Sequence, residues 1–270
     1  MKIQHKPVKS VITRSKLPGT DYAVNPYVGC PHKCVYCYAC FMKRFTGHDE
    51  PWGEFLDVKE FPRIKHPAQY NGKTLFFGSV TDPYNPYEAR FKKTREILEQ
   101  FVGAGADICI ATKSDLVVRD LEILRQIKNV RVFFSINTLD EDFRKDMDQA
   151  SSILERIRAM RILSEHGIYT GTFISPIFPG ITSVEDIVRA TSDHCRMYWL
   201  ENLNLRGSFR QRILGYIDSR YPHLSPLYKS IYRDKNKWYW KKLKQELEVF
   251  TREQGVATEN YFFHEEIRKK

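Results

Sequence analysis

Cys30, Cys34 and Cys37 are spaced CxxxCxxC, and Cys40 follows three residues later. Thiolates are soft ligands that suit iron and zinc. Three of them on one short segment can hold three irons of a 4Fe–4S cluster and leave a fourth iron open to a small molecule. Two other readings compete. Four cysteines could close a tetrahedral zinc site, although zinc ligands usually come as pairs from two separated knuckles. A disulfide framework suits a small secreted chain, not 270 residues with the cysteines gathered in one loop and no apolar leader at Met1–Lys9. The iron–sulfur reading is preferred. Cys109 and Cys195 lie in apolar or strand-like surroundings and are expected to be buried thiols.

The composition fits a soluble protein with one substantial core, 42% hydrophobic. No apolar run is long enough to span a membrane, so no membrane partner and a cytoplasmic location are expected. A reducing compartment also suits free thiols. The formal charge of +10 suggests a polyanionic partner.

Elements must position the cysteine loop, and the sequence predicts them in alternation. Residues Ala23–Val28 can supply a strand before the loop, and Thr74–Phe77 a buried strand after it. Apolar residues recurring from Phe91 to Phe101 predict one helix over Glu88–Val102, ended by Gly103. Ile108–Ala111 is a further strand, and Ser114 can cap a helix carrying Val117, Leu121 and Leu124. Val130–Ile136 is the next strand, then a helix opened by Ser151 or Ser152 and stopped at His166-Gly167. Tyr169–Ile174, a helix capped by Thr182 or Ser183, and a strand over Met197–Leu205 complete the series. Such alternation argues for a parallel sheet with right-handed crossovers. Ligands collect at the carboxyl ends of such strands. There the polar segments fall: Ser79–Asp82, Thr112–Ser114, Ser135 with Asn137, and Ser175-Pro176.

Three regions are expected: a basic arm over 1–20, a barrel over 21–205 and a basic, aromatic-rich helical extension over 206–270. The arm carries five Lys or Arg and no acid, and is read as a basic surface or a loose segment. Between Arg206 and Lys244, eleven Lys or Arg face two acids, Asp218 and Asp234. Phe209, Tyr216, Tyr221, Tyr228, Tyr232, Trp238, Tyr239 and Trp240 are interleaved among them. That mixture suits a phosphate backbone with bases to stack on; alternatively the aromatics pack on the barrel while the lysines are solvated.

The string Asn25-Pro-Tyr-Val-Gly-Cys30-Pro-His-Lys-Cys34-Val-Tyr-Cys37-Tyr38, followed by this alternation, resembles the spore photoproduct lyase-like branch of the radical S-adenosylmethionine (SAM) superfamily. Gly78–Pro86, Thr112–Ser114 and Pro176–Gly180 fit the same branch. The resemblance covers roughly residues 20–205. It implies an α/β fold, an incomplete (β/α)6 TIM-like barrel, with a 4Fe–4S cluster at its mouth. It also implies SAM on the open iron, reductive cleavage to a 5′-deoxyadenosyl radical, and hydrogen abstraction from a substrate.

Carried over by position, the resemblance makes Cys30, Cys34 and Cys37 the cluster ligands. Tyr38, Ser79, Thr81, Asp82, Lys113 and Ser135 become SAM-site residues, and a reductant such as flavodoxin or ferredoxin is required. One departure stands out. Spore photoproduct lyase itself has a hydrogen-returning cysteine in the segment matching Ser79–Asp82, where this chain has Ser79 or Val80. Neither offers a weak S–H bond, and Cys40 beside the loop is an imperfect substitute, so repair of the spore photoproduct is not expected. The leading expectation is radical chemistry on an unidentified substrate, with nucleic acid or a nucleic-acid-binding partner favoured by the basic, aromatic carboxyl-terminal region. The alternatives are radical modification of a protein or peptide, and a non-catalytic zinc-stapled nucleic-acid-binding module.

Overall fold

The computed structural model describes residues 1–262 except Arg206 and Ser208. The expected start of the extension at Arg206, and its last residues, 263–270, lie outside the described residues. The chain opens with strands β1 (Lys2–Pro7), β2 (Ile12–Arg14), β3 (Tyr22–Val24) and β4 (Tyr27–Val28). A 3-10 helix over Tyr38–Phe45 leads to β5 (Phe55–Glu60) and β6 (Thr74–Phe77). Helices α1 (Glu88–Phe91) and α2 (Lys93–Phe101) precede β7 (Asp107–Thr112). Then come α3 (Leu121–Leu124), β8 (Asn129–Ser135), α4 (Glu141–Met147) and α5 (Ile153–Glu165). Next are β9 (Tyr169–Ile177), α6 (Val184–Thr191) and β10 (Tyr198–Asn202). The end of the chain adds α7 (Phe209–Arg220), α8 (Ser225–Tyr232), α9 (Trp238–Glu253) and β11 (Thr258–Asn260).

The main sheet runs β11-β10-β9-β8-β7-β6-β3-β2, parallel throughout except at the β2–β3 edge. Strands β3 and β6–β10 are the six expected for a partial barrel, and β11 adds a seventh parallel strand. Side chains alternate across it, as the two-residue strand period requires. Leu75, Phe77, Ile108, Ile110, Val132, Phe134, Ile174, Tyr198 and Leu200 bury against the helices. On the opposite, concave face Phe76, Cys109, Phe133, Phe173 and Trp199 form an aromatic floor. The Phe133 and Trp199 rings stack 5.0 Å apart. Gly171 makes room for this floor, since a Cβ there would collide with the Phe133 ring. Cys109 and Cys195 are buried, as expected.

Several elements differ from the sequence expectation, for local reasons. The segment 23–28 is broken at Asn25-Pro26 into two strands: β3 joins the barrel, while β4 joins β1 and β5 in a small second sheet. The expected helix over 88–102 is two helices, because Lys92 adopts φ +53. The buried Glu88 carboxylate then accepts from the backbone N–H of Thr94 and of Arg95, at 3.0 and 3.2 Å, and caps the second helix. Glu88 also takes a hydrogen bond from Tyr27 Oη and an ion pair from Arg119 at 2.7 Å. Ser114 caps as expected, accepting from Leu116 N at 3.2 Å, but it opens a 3-10 stretch over Asp115–Asp120 and then the single turn of α3. Ser152 opens α5 with a complete capping box to Glu155. Ser183 caps α6. The fifth expected strand is shorter than 197–205.

The termini are built into the fold. Residues 1–20 are not a loose arm, since β1 pairs with β5 and β2 with β3. The extension has its helices and, in addition, β11. Trp240 and Leu247 of α9 join the main core, and Phe209, Ile213, Ile217 and Tyr228 pack with Tyr36, Phe143 and Phe178. Of the eight aromatics that could stack on bases or pack on the barrel, only Trp238 is exposed. The others serve packing, which leaves the basic residues of the extension as a solvated face.

Candidate active site

The cysteine loop is shaped by two turns. Lys33 N donates to Cys30 O at 3.2 Å, and Cys37 N to Cys34 O at 3.1 Å. Gly29 enters the loop at φ +90, with Phe55 O pressed against the place a Cβ would occupy, so only glycine fits. The loop is then clipped on several sides. Gln149 N donates to His32 O at 2.7 Å, and Val35 N to Met147 O at 2.9 Å. Lys33 pairs with Glu54 at 2.5 Å. Buried His32 places Nε2 3.2 Å from Asp82 Oδ2. Tyr36 Oη reaches Asp148 at 3.4 Å, and Asp148 pairs with the fully buried Arg156 at 2.9 Å.

These clips bring the loop onto the carboxyl ends of β6, β7 and β8. Asp82 accepts from Lys113 N and Thr112 Oγ1, both at 2.7 Å, and from Tyr84 N at 2.9 Å. His32 and these donors hold its carboxyl below the usual range, overcoming the opposing effect of burial. Asp82 is therefore a post that fixes the β6 and β7 loops against the cysteines. Ser79 Oγ accepts from Asn25 at 2.8 Å, and Ser79 O accepts from Tyr38 Oη. Tyr38 is 60% exposed. Thr81 is buried, and its hydroxyl makes no protein hydrogen bond. Lys113 Nζ donates to Ser135 Oγ at 2.5 Å and lies 5.6 Å from the centre of the Tyr36 ring. Ser175 Oγ donates to Glu201 across the ends of β9 and β10.

The three thiols share one electrostatic neighbourhood. Burial pushes Cys30 up to about 12, with Asp82 and Cys37 adding to the effect. Burial and Asp148 hold Cys34 well above the ordinary thiol value against the pull of Lys113, and Cys37 and Cys30 raise it further. Cys37 is also raised by burial, with the N–H groups of Ala39, Trp52 and Cys40 working against the rise. Thiols that oppose one another's ionisation fit a polycationic centre that neutralises all three, and iron ligation does this. The donor set therefore fits a 4Fe–4S cluster on Cys30, Cys34 and Cys37. The neighbouring Lys113 ammonium and Thr81 hydroxyl fit the carboxylate and polar edges of SAM. Among the described residues no three or more His, Cys, Asp or Glu side chains are gathered into a group that could hold a metal ion.

Sequence reading located the cysteines and the strand-end residues and missed their supports. His32, Asp148, Arg156 and Trp52 carry no local motif. In the sequence Asp148 and Arg156 look like the charged residues around them, such as Lys145, Asp146, Glu155 and Arg158, so nothing local marks them for burial.

The chain matches the radical SAM superfamily over residues 24–190, a span that includes the cysteine loop and β6–β9. It is 37% identical over 216 residues to an uncharacterized protein of Methanocaldococcus jannaschii, covering 79% of this chain and 82% of that protein. Similarity to a radical SAM Nalpha-GlyT isomerase of Pseudomonas phage M6 is 26% over 166 residues, 60% of this chain and 34% of that enzyme. A spore photoproduct lyase mutant with dinucleoside spore photoproduct has the same fold, with a TM-score of 0.60 at 18% identity over 82% of this chain and 66% of that one. The chain thus spans under two thirds of both named enzymes. Among the described residues no helix is long and apolar enough to cross a membrane. With the motif, the parallel strands and the family match in agreement, the chain belongs to the radical SAM superfamily, enzymes that use a 4Fe–4S cluster and SAM.

Proposed function

We propose that Cys30, Cys34 and Cys37 hold three irons of the cluster, and that Tyr38, Ser79, Thr81, Lys113 and Ser135 line SAM, with Asp82 as the post behind them. The observation that carries this reading is the set of three mutually interacting thiols clipped to the carboxyl ends of parallel strands. When bound, the cluster and SAM supply one-electron cleavage of the sulfonium to methionine and a 5′-deoxyadenosyl radical. The chain's own part is positioning. Lys113, steadied by Ser135, presents a cation to the methionine carboxylate. Thr81 offers a hydroxyl that has no protein partner. Phe133, Phe173 and Trp199 pack as an aromatic floor on the concave face of the barrel.

The substrate reading is nucleic acid. Net charge of +10 supports it. So does the surface beside the loop, where Phe41 (45%) and Phe45 (66%) are exposed with Lys43 and Arg44 between them. A base in a duplex would have to be flipped out to reach the barrel mouth. The solved neighbour with dinucleoside spore photoproduct shares the fold. A polypeptide substrate is the second reading, favoured by the packing of the extension's aromatics. A reducing, cytoplasmic location and a flavodoxin- or ferredoxin-type reductant accord with either. The test is deuterium transfer into 5′-deoxyadenosine from labelled single-stranded DNA, RNA or a co-expressed polypeptide. Label from nucleic acid supports the first reading, and label from polypeptide alone supports the second. A colourless protein with about one zinc and no SAM cleavage would return the chain to the non-catalytic alternative.

A further inference from the structure

Trp238 opens α9 and is 64% exposed, whereas tryptophan side chains are on average well covered. Its two neighbours turn inward. The Tyr239 hydroxyl accepts from Gly180 N at 3.2 Å in the loop after β9, and the buried Trp240 ring packs 5.3 Å from that of Phe262. These anchors fix the start of α9 at the carboxyl end of the parallel strands, the end that carries the cysteine loop. Cations surround the ring. Over 233–244 six Lys or Arg stand against one acid, Asp234. Lys242 Nζ lies 5.3 Å from the Trp238 ring centroid and also reaches Glu246 at 3.5 Å. Lys235 and Lys241 are exposed, and among the described residues neither has an ion-pair partner. Spaced four, seven and eleven residues on from Trp238, Lys242, Gln245 and Val249 share its face of the helix, and only Val249 is apolar.

We propose that Trp238 is a stacking platform for one base of a single-stranded nucleic acid, with Lys235 and Lys241 meeting neighbouring phosphates. The inference rests on the nucleic-acid reading and adds to it a contact point away from the cysteine loop. Every base has a π-face, and an exposed ring set among cations holds a strand without reading its sequence. Bases inside a duplex are already stacked, so such a ring takes only an unpaired one. Holding the strand open beside the barrel mouth lowers the cost of bringing a target nucleotide out of the stack. Other occupants fit less well. A stable protein partner would cover about 800 Å² around an apolar centre, and one ring set among lysines does not provide that. A lipid surface takes a continuous apolar helix face, which Lys242 and Gln245 interrupt.

The experiment measures binding of dye-labelled oligothymidine and oligouridine to the full-length reconstituted protein by fluorescence anisotropy, over a range of salt. Trp238→Ala should weaken binding about 5- to 150-fold, the worth of one base stacked on an aromatic ring. Trp238→Phe, which keeps a ring, should retain most of the affinity. Lys235→Gln combined with Lys241→Gln should lower the slope of log affinity against log salt by about 1.4, for two phosphates of a single strand. All three variants should keep the parent's thermal midpoint, since the altered side chains are exposed. A Trp238→Ala protein that binds both oligonucleotides like the parent would overturn the inference while leaving the nucleic-acid reading standing. A parent with no affinity for either would overturn both. Binding to phosphatidylserine vesicles that is lost in Trp238→Ala, with oligonucleotide binding unchanged, would overturn the inference in favour of a lipid surface.

Discussion

Lys113 Nζ donates a 2.5 Å hydrogen bond to Ser135 Oγ, joining the carboxyl ends of β7 and β8 beside the cysteine loop. One cation is thereby held near Cys34 and Asp148 by a hydrogen bond to a neutral partner. Lys113→Met should raise the apparent SAM dissociation constant about 10- to 100-fold, the worth of one charge-assisted hydrogen bond. Equilibrium binding of SAM to the reconstituted variant measures this. Unchanged affinity would remove Lys113 from the SAM site.

Asp148 and Arg156 form an ion pair almost wholly excluded from solvent, at 2.9 Å. Removing Arg156 leaves the buried Asp148 carboxylate with only the longer ion-pair contact to Arg144, at 3.8 Å. Arg156→Met should therefore cost about 3–5 kcal/mol of stability, a size typical of broken buried pairs. Urea denaturation of the apoprotein at neutral pH gives the value.

Acid should unfasten the same region. Asp82 and Asp148 both titrate below their ordinary value of 3.8 in the folded chain: burial raises each, and His32 and Arg156 respectively outweigh it. A carboxyl depressed by folding contributes stability that is complete above its unfolded value and lost as pH falls through the folded one. Thermal midpoints of the apoprotein should hold between about pH 5 and 7 and drop below about pH 4. In Asp82→Asn the midpoint should start lower and fall less steeply, as differential scanning calorimetry across pH would show.

Lys43 and Arg44 lie between exposed Phe41 and Phe45 next to the cysteine loop. If they meet phosphates, Lys43→Gln combined with Arg44→Gln should reduce the slope of log affinity against log salt by about 1.4 for single-stranded nucleic acid. Fluorescence anisotropy with labelled oligonucleotides from low to moderate salt checks this. An unaltered slope would place the nucleic-acid surface elsewhere.

The features legible in the sequence were local. The CxxxCxxC spacing, the strand runs at Thr74–Phe77 and Val130–Ile136, and the helix start at Ser151 or Ser152 depend on residues a few positions apart. The supports depend on distant pairs. Glu88 caps across the left-handed Lys92, and Asp82 meets His32 fifty residues away in sequence. Such contacts arise only after the sheet has formed, and a buried carboxylate looks like a surface one until its partners are known. The extension admitted two readings for a related reason. Tyr228 and Trp240 sit in a basic segment, yet both rings are buried in the cores of the fold. β11 is three residues long and is specified by its pairing with β10 more than by its own composition.

Anaerobic reconstitution with iron and sulfide, followed by dithionite and SAM, tests the central claim. The parent should carry about four irons per chain and release 5′-deoxyadenosine, and Cys34→Ser should abolish that release while remaining folded. Release of 5′-deoxyadenosine by Cys34→Ser at the parent rate, or an air-free parent protein without iron, would contradict the account.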